Sequence, residues 1–329
     1  MLDIIIPQYK ENDNVIRPLL DSIKNQININ FNDINLTIVN DGSDTFVSDE
    51  LLNSYPFKIN YIKNKENNGP GVTRQIGLDN TNDKYIMFMD ADDCLASNIS
   101  LFIILSCIKD AKPNLIITNI VQDIFVNNEK KYKIKKGKDT LPWLHGKIYN
   151  REIINKYDVK FHNNLRYFED SYFTICYMSA LNDDDIITLD FDCYWWKDND
   201  NSITRKNRKY GYVIEEFKDF FYCPFYAYEY LKDSKYPYTI EYMIKAICGI
   251  HQYLNSKIFN DDELKDKKTF YETELNKFIL NNKDLFNNLN FDKLKKLYDE
   301  EYNTLLKREH FDVLNGIDSL AKILNIKKK

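Results

Sequence analysis

The sequence lacks cysteine motifs, long apolar runs and any large excess of one charge. None of the six cysteines belongs to a CxxC pair, and none is spaced with a histidine as zinc ligands are. We therefore expect neither a zinc domain nor a disulfide framework, but free thiols in a reducing compartment. The net charge of −5 gives no general attraction to nucleic acid or anionic lipid, so such contacts would need a local basic patch.

A membrane-spanning segment is also missing from the pattern. The most apolar stretch, ISLFIILSCI at residues 99–108, is far too short to cross a bilayer. The first residues lack the layout of a signal peptide, because the charged Asp3 lies within the first apolar run. We expect a cytoplasmic protein, and leave open a peripheral position at the inner face of the membrane.

Strand and helix patterns alternate over the first half of the chain. The predicted strands cover residues 2–7, 35–43, 58–63, 85–89 and 115–120, and the helices between them cover 14–24, 48–54, 67–80 and 97–110. This alternation predicts a Rossmann-like α/β domain, with a mainly parallel sheet covered by helices on both faces. Ligands of such sheets bind beyond the carboxyl ends of the strands, where polar loops stand here: PQYKEN, NDGSD and DADD.

The pattern changes after about residue 128. A polar, lysine-rich segment comes first, and a helix beginning at Asp170 and a strand at residues 186–196 follow. From about residue 207 the chain reads as helices to its end, with an aromatic-rich linker at 220–231. We predict two domains, 1–206 and 207–329. The second would bind an acceptor, form a homodimer or contact a membrane surface.

Three aspartates follow directly on the apolar run YIMFM. A tight turn can aim Asp90 and Asp92 into one cleft, and Mn²⁺ or Mg²⁺ is commonly held by one or two carboxylates together with substrate phosphates. Asp93 is expected only to hold the turn. A merely solvated acidic turn is the alternative, but the position behind a buried strand favours a metal site.

Six motifs in order make the chain resemble the family 2 glycosyltransferases of the GT-A fold, over roughly the first two-thirds of its length. They are IIIPQYKENDNV, IVNDGSDT, NNGPGVTRQIGL, MFMDADD, YFEDSYF and YWWKDNDNSIT. The last is similar to a segment of many bacterial capsule, teichoic-acid and lipopolysaccharide enzymes. The resemblance implies a GT-A catalytic domain at 1–206. The chain departs from the family pattern at Asn40, where an acid is usual, and at Gln75, where asparagine is usual.

The resemblance implies an inverting transfer of sugar from a nucleotide-sugar, most often UDP-linked, to a hydroxyl of a cell-surface glycan or polymer. Asp41 would accept the uracil N–H, with Pro7 and Tyr9 framing the base. An Asx-turn is the alternative role for Asp41. Arg74 would contact phosphate or brace the acidic loop, unless it is simply a solvated helix charge.

The same resemblance assigns the chemical roles. Asp90 would reach the ribose or the metal, and Asp92 would ligate the metal. Asp170 would be the general base, and the neighbouring Glu169 would raise its effective pKa. An ordinary acid at a helix N-terminus is the alternative for the pair.

Several further residues are weaker candidates. Lys147 and a polar run could contact the diphosphate as a closing loop, unless they form ordinary polar surface; the run consists of Asn201, Ser202, Thr204 and Arg205. His145 and His162 could add a third metal ligand, but a lone histidine is usually structural. A sugar-stacking wall or a part of the core could be formed by Trp143, Trp195 and Trp196.

Three other functions compete with this interpretation. A sugar-1-phosphate nucleotidyltransferase is disfavoured, because the first loop has no glycine. A phage-type enzyme that glycosylates hydroxymethylated DNA would use the C-terminal lysine clusters, but the acidic chain argues against nucleic acid. A catalytically inactive carbohydrate-binding or scaffold protein is disfavoured by the presence of both Asp92 and Asp170.

Overall fold

The chain divides into two compact units, Met1–Arg208 and Lys209–Lys329. The computed structural model describes residues 1–126, 129–198, 210–234, 239–256, 264–306 and 316–327, together with Phe259. The first unit contains a nine-stranded sheet, and the second contains helices.

Strands and helices alternate over the first part of this unit, except that the fifth strand follows the fourth without a helix between them. The strands are β1 (Leu2–Gln8), β2 (Ile34–Asn40), β3 (Ile59–Lys63), β4 (Tyr85–Phe88), β5 (Cys94–Leu95), β6 (Leu115–Val126), β7 (Glu129–Lys135), β8 (Lys147–Asn150) and β9 (Ile186–Trp196). The helices are α1 (Asp13–Lys24), α2 (Asp49–Leu52), α3 (Pro70–Asp79), α4 (Ser100–Ala111), α5 (Arg151–Lys156) and α6 (Glu169–Met178). This confirms the predicted α/β class.

The sheet has the order β3-β2-β1-β4-β8-β6-β9-β5, and β7 pairs with β6. Strands β3, β2, β1 and β4 run parallel, as predicted. Beyond them the sheet is mixed, because β8 runs antiparallel to both β4 and β6, and β9 returns parallel to β6. The expectation of a mainly parallel sheet therefore holds for the block β3-β2-β1-β4 and for the pair β6 and β9, and the other pairs are antiparallel. No α-helix separates β6, β7 and β8, and strands joined without a crossover helix pair antiparallel.

The lysine-rich segment after residue 128 is strand β7, which the sequence did not predict. Six of its seven residues are exposed, so it has no apolar alternation by which a strand could be recognised.

A local signal in the sequence fixes the start of the first helix. The side chain of Asn12 caps α1 by accepting from the backbone N–H groups of Asn14 and Val15. Buried apolar residues at helical spacing then attach this helix to the sheet: Ile16, Leu19, Leu20 and Ile23.

Because β1 pairs in parallel with both β2 and β4, the chain leaves all three strands at the same edge of the sheet.

The second unit is helical, as predicted. Its helices are α7 (Tyr210–Leu231), α8 (Thr239–Leu254), α9 (Lys265–Asn281), α10 (Phe291–Leu306) and α11 (Ile317–Ile323). The segment 220–231, predicted as a linker, is part of α7, whose Phe221 is fully buried in the separate core of this unit. Within the described ranges, no helix has the length and apolar character needed to span a membrane.

Candidate active site

The acidic turn after β4 is organised around the carboxylate of Asp90. One of its oxygens accepts a hydrogen bond from Arg74 Nη2 at 2.7 Å, and the other lies 2.9 Å from His145 Nε2. Burial alone would raise the pKa of Asp90, but the charges of His145 and Arg74 hold it well below its usual range. Asp90 is therefore a carboxylate held between a guanidinium and an imidazole.

Arg74 connects three elements of the unit. It lies in α3, is almost fully buried, and donates through Nη1 to Glu169 Oε1 at 2.7 Å while Nη2 holds Asp90. Burial and the charge of Asp170 nevertheless raise the pKa of Glu169 to about 7. Through these contacts Arg74 braces the acidic turn, which was one of the two roles considered for this arginine.

Strand β9 supports the turn from the opposite side. The hydroxyl of Tyr194 donates to Asp93 and accepts from the backbone N–H of Asp90 at 3.2 Å. The backbone N–H of Lys197 also donates to Asp93, at 2.9 Å. Burial and the charges of Asp90 and Asp92 raise the pKa of Asp93 well above its usual value. Asp93 thus holds the turn, as expected, through contacts with a strand a hundred residues away.

A group able to hold a cation is formed by Asp90, Asp93 and His145. One ligand atom from each lies within 4.8 Å of the others. Two carboxylates and an imidazole fit a divalent cation that prefers oxygen ligands, such as Mn²⁺. His145 was considered as a third ligand from the sequence. Asp92 is half-buried in the same turn but does not belong to this group. Its role as a ligand stays a prediction.

Glu11 belongs to the same acidic cluster, and the sequence interpretation missed it. Burial raises the pKa of Glu11 to about 7, and the charges of Asp92 and Asp90 act in the same direction. The available signal was its place in PQYKEN, because this loop leaves β1 at the edge where the aspartate turn leaves β4.

Asp41 anchors the glycine-rich loop that precedes α3. Its two carboxylate oxygens accept from the backbone N–H groups of Asn68 and Gly69, each at 2.9 Å. Gly42, at φ +68°, makes this approach possible, since a Cβ there would lie 2.3 Å from the carbonyl carbon of Glu66. The predicted contact of Asp41 with uracil stays a prediction.

The family departure at Asn40 has a structural reason. Its Oδ1 accepts from the backbone N–H of Ser43 at 2.7 Å, so Asn40 closes this turn through a bond three residues ahead, whereas the Asx-turn considered for Asp41 would reach two. Its Nδ2 donates to the carbonyl of Thr45 and to the hydroxyl of Tyr61, both at 3.0 Å. A carboxylate has no hydrogen to donate to the Thr45 carbonyl, so these partners favour asparagine.

The two residues predicted to frame a base lie at the end of β1. Pro7 is half-buried within the strand, and Tyr9 follows it with 37% of its surface exposed. The ammonium group of Lys10 lies 5.1 Å from the centre of the Tyr9 ring. Both residues stand at the same edge as Asp41, and their roles stay predictions.

Lys147 lies in strand β8 rather than in a surface loop. Its ammonium group is fully buried and donates to the backbone carbonyls of Thr140, at 2.6 Å, and Trp143. Burial lowers the pKa of Lys147 to about 7, although the charge of Asp170 opposes this. Lys147 thus fixes the segment that leads to His145, and these contacts give no support to a closing loop.

The other members of the predicted diphosphate loop lie outside the described residues. They are Asn201, Ser202, Thr204 and Arg205.

Asp170 lies in the first turn of α6, next to Glu169. Its Oδ1 accepts from the backbone N–H of Ser171 at 2.7 Å, and its side chain is half-buried. The charge of Asp170 acts on the pKa of both Arg74 and Lys147, which places it within electrostatic reach of the cluster around Asp90. Its role as general base stays a prediction.

The three tryptophans do not form one wall. Trp143 and Trp196 pack edge to face, with ring centres 5.3 Å apart. Trp195 faces the other side of the sheet, where its Nε1 donates to Asp123 at 2.8 Å. Successive residues of a strand point to opposite faces, so the expectation of a wall of three rings is wrong. A pair of rings remains.

Comparison with known proteins identifies the family. The sequence model described as Glycosyl transferase family 2 matches residues 3–189, more than half of the chain. The chain belongs to glycosyl transferase family 2. The match spans the acidic turn, Arg74, Glu169 and Asp170, and it confirms the family resemblance seen in the sequence.

Individual relatives within the family match over shorter lengths. A teichoic acid poly(glycerol phosphate) polymerase of Staphylococcus epidermidis is 28% identical over 193 residues, which are 54% of this chain and 26% of that protein. Glycosyltransferase GlyA of Streptococcus pneumoniae is 36% identical over 95 residues, covering 28% of this chain and 13% of the relative. The chain thus spans about a quarter or less of these two curated relatives.

Solved structures show the fold at low sequence identity. TarS 1-349 of S. aureus, in complex with UDP-GlcNAc, aligns with a TM-score of 0.64 and 13% identity over 96% of this chain and 95% of its own. The mannosyltransferase PcManGT of Pyrobaculum calidifontis, with GDP-Man and Mn²⁺, aligns with a TM-score of 0.52 and 13% identity, covering 98% and 84%. These alignments confirm the predicted GT-A-like fold with a helical C-terminal region.

The variant Arg74→Met should be strongly destabilised. It leaves Asp90 and Glu169 without the cation that joins them, and breaking a buried pair in this way costs about 3–5 kcal/mol. Urea unfolding measures the loss. Arg166→Met is the matched control, because this arginine is exposed and should cost less than about 1 kcal/mol. Equal losses in the two variants would show that the bridge at Arg74 does not stabilise the fold.

The contribution of Lys147 should depend on pH. Its pKa is about 7 in the folded state and near the ordinary value of 10.5 in the unfolded chain, so the unfolded chain binds more protons between these values. The stability due to Lys147 is therefore full above about pH 10.5, decreases progressively as the pH falls below that value, and is lost at about pH 7. We expect the free energy of unfolding of the wild type, relative to Lys147→Met, to rise between pH 7 and 10. A difference that stays flat over this range would contradict the assignment.

Proposed function

We propose that this family 2 chain is a metal-dependent, inverting glycosyltransferase. It moves a sugar from a nucleotide-sugar donor, UDP-linked, to a hydroxyl of a cell-surface glycan or polymer. The observation that carries the proposal is the cluster within the family match, where Arg74 joins Asp90 to Glu169 beside Asp170. This cluster combines carboxylates for a cation with a carboxylate suited to a general base.

The choice of donor is supported by the fold and by the polar edge of the sheet. TarS was solved with UDP and with UDP-GlcNAc, and PcManGT with GDP-Man, so chains of similar fold hold nucleotide-sugars. In this chain we assign the base to Pro7, Tyr9 and Asp41, which stand together beyond β1 and β2. Asp41 also holds the loop before α3, so its position is fixed before a ligand arrives.

The residues around the aspartate turn fit a divalent cation, Mn²⁺ or Mg²⁺. Asp90 would hold it together with Asp92 or with Asp93 and His145. A cation bound there supplies positive charge that offsets the charge developing on the leaving diphosphate. Arg74 keeps the Asp90 carboxylate ionised and fixed in direction, and Tyr194 fixes the turn that carries it.

The acceptor is activated by Asp170 in this mechanism. Oδ1 of Asp170 is held by Ser171, and we assign Oδ2 to take the proton of the acceptor hydroxyl as its oxygen attacks the anomeric carbon. The pKa of Glu169 is about 7, so at neutral pH this neighbour of Asp170 is only partly ionised. One base and a direct attack give inversion, and no carboxylate nucleophile is required.

The acceptor class is supported by the names of similar proteins. The relative from S. epidermidis is a teichoic acid poly(glycerol phosphate) polymerase, an enzyme of an anionic cell-surface polymer. We extend this class of acceptor, and not that enzyme's reaction, to the present chain.

The variant Asp170→Asn should bind UDP as the wild type does and lose transfer by at least about 100-fold, because an amide cannot accept the acceptor proton. Calorimetry with UDP and a UDP-release assay with acceptor measure the two properties. Asp184→Asn, at an exposed site outside the cluster, is the matched control and should retain activity. Unchanged turnover in Asp170→Asn would remove this residue from the mechanism.

The variant Asp92→Ala should lose the part of UDP binding that depends on Mn²⁺, with affinity reduced at least about tenfold. A thermal-shift titration of UDP, with Mn²⁺ and with a chelator, measures this part. His145→Ala tests the alternative ligand group in parallel. If Asp92→Ala keeps the Mn²⁺ effect and His145→Ala loses it, the ligands are Asp90, Asp93 and His145, and the prediction for Asp92 is wrong. If the wild type shows no Mn²⁺ effect, the proposed metal dependence fails.

A further inference from the structure

Strands β6 and β7 form a hairpin whose two faces differ in chemistry. Residues directly opposite each other in an antiparallel pair share a face. One face, here named the lysine face, carries the pairs Ile120/Lys135, Gln122/Lys133 and Ile124/Lys131, and ends at the pair Val126/Glu129. The other, named the aromatic face, carries the pairs Val121/Ile134, Asp123/Tyr132 and Phe125/Lys130.

The charges of the aromatic face are compensated within the hairpin and its neighbour. Asp123 accepts from Trp195 Nε1 and forms an ion pair with Lys130 at 2.8 Å. The rings of Tyr132 and Trp195 pack edge to face, 5.8 Å apart. This face therefore has little charge to offer a ligand.

The lysine face has positive charge that is not compensated. Lys131 reaches only Glu129, at 3.7 Å, whereas Lys133 and Lys135 take part in none of the ion pairs found among the described residues. Burial lowers the pKa of Lys135 and the charge of Lys133 acts in the same direction, while the charge of Asp139 opposes them. The three lysines alternate along the strand, so their Cα atoms follow each other at about 7 Å.

The lysine face leads to the candidate active site. The ammonium group of Lys135 lies 5.1 Å from the centre of the Trp143 ring, and Trp143 packs against Trp196. Trp143 precedes the metal-site residue His145 by two positions, and Trp196 follows Tyr194 by two. The row of lysines thus begins at an aromatic pair beside the aspartate turn and continues toward the tip of the hairpin.

We propose that the lysine face and the Trp143–Trp196 pair form a binding site for a polyanionic acceptor, a polyol or glycan chain linked by phosphodiesters. Successive phosphates would contact Lys135, Lys133 and Lys131, and a sugar or polyol unit would pack on the tryptophans. The site names the acceptor class of the proposed function and rests on that function. A single row of cations suits one linear chain with a charge in each repeat.

Two other anionic partners fit this surface less well. Duplex DNA is typically held by about six to ten phosphate contacts, which exceeds one row of three lysines. A lipid surface would be expected to take exposed aromatic groups together with the cations. Here the exposed Phe125 and Tyr132 lie on the opposite face of the hairpin.

The test compares two double variants of the full chain that lose the same charge. Lys133→Gln/Lys135→Gln changes the lysine face, whereas Lys130→Gln/Lys136→Gln removes two lysines that are paired with Asp123 and Asp190. Calorimetry measures the binding of a poly(glycerol phosphate) oligomer at several salt concentrations. UDP binding and thermal unfolding are recorded for each protein, because they report on the donor site and the fold.

We expect the lysine-face variant to bind the oligomer about tenfold more weakly and with a smaller salt dependence, while the control variant stays within about twofold of the wild type. UDP binding should be the same in all three proteins. Equal oligomer affinity in the two variants would overturn the site, whether both match the wild type or both are weakened. Tighter binding of duplex DNA or phosphatidylglycerol vesicles through the same lysines would overturn the acceptor class. Failure of the wild type to bind UDP or any UDP-sugar would instead refute the proposed donor reaction, since the oligomer measurement is independent of it.

Discussion

The bridge from Arg74 to Asp90 and Glu169 is the interaction on which the site depends. It joins the helix after the glycine-rich loop, the turn after β4 and the first turn of α6, and so fixes the distance between the residues proposed to bind the cation and the residue proposed as base. Two unit charges 4 Å apart interact by about 4 kcal/mol at an effective dielectric constant of 20. Without the buried guanidinium, the repulsion between Asp90, Glu169 and Asp170 would act directly on the packing of α3 against α6. An uncharged residue could not hold these elements together in this geometry.

The excess of carboxylates around this bridge supports the requirement for a cation. Arg74 and His145 already engage Asp90, yet Glu11, Asp93 and Glu169 all have raised pKa values. Protons therefore take up part of the negative charge of the cluster. A nucleoside diphosphate is itself an anion, and it would be repelled by such a cluster unless cations replaced those protons. Burial is the largest cause of these raised pKa values, and the neighbouring carboxylates act in the same direction; the proposed cation would offset the charge of those carboxylates.

The sequence predicted those features that depend on local chemistry. The apolar runs of β1, β2, β4 and β9 and the polar loops at strand ends are all encoded within a few residues, and the family motifs added their order. Contacts between distant segments could not be predicted in this way. Arg74 and Glu169 are 95 residues apart, and Asp90 and His145 are 55 apart, so no spacing in the chain brings them together. Strand β7 was not predicted, because an exposed strand needs no apolar alternation. The antiparallel direction of β8 was not predicted either, because it follows from a connection without a helix.

The net charge of the chain does not reveal that the first unit has two regions of opposite charge. The net charge of −5 disfavoured a polyanionic partner. This total includes both an acidic pocket and a basic hairpin, to which we assign separate roles. The acidic pocket suits a cation that accompanies the donor diphosphate. The lysine face suits the negative charges of the proposed acceptor chain, one hydroxyl of which would reach Asp170. Since exposed charges more than a Debye length of about 8 Å apart are largely screened at physiological salt, the two fields can act side by side. In the proposed function, the first unit binds two anionic substrates, each through its own set of cations.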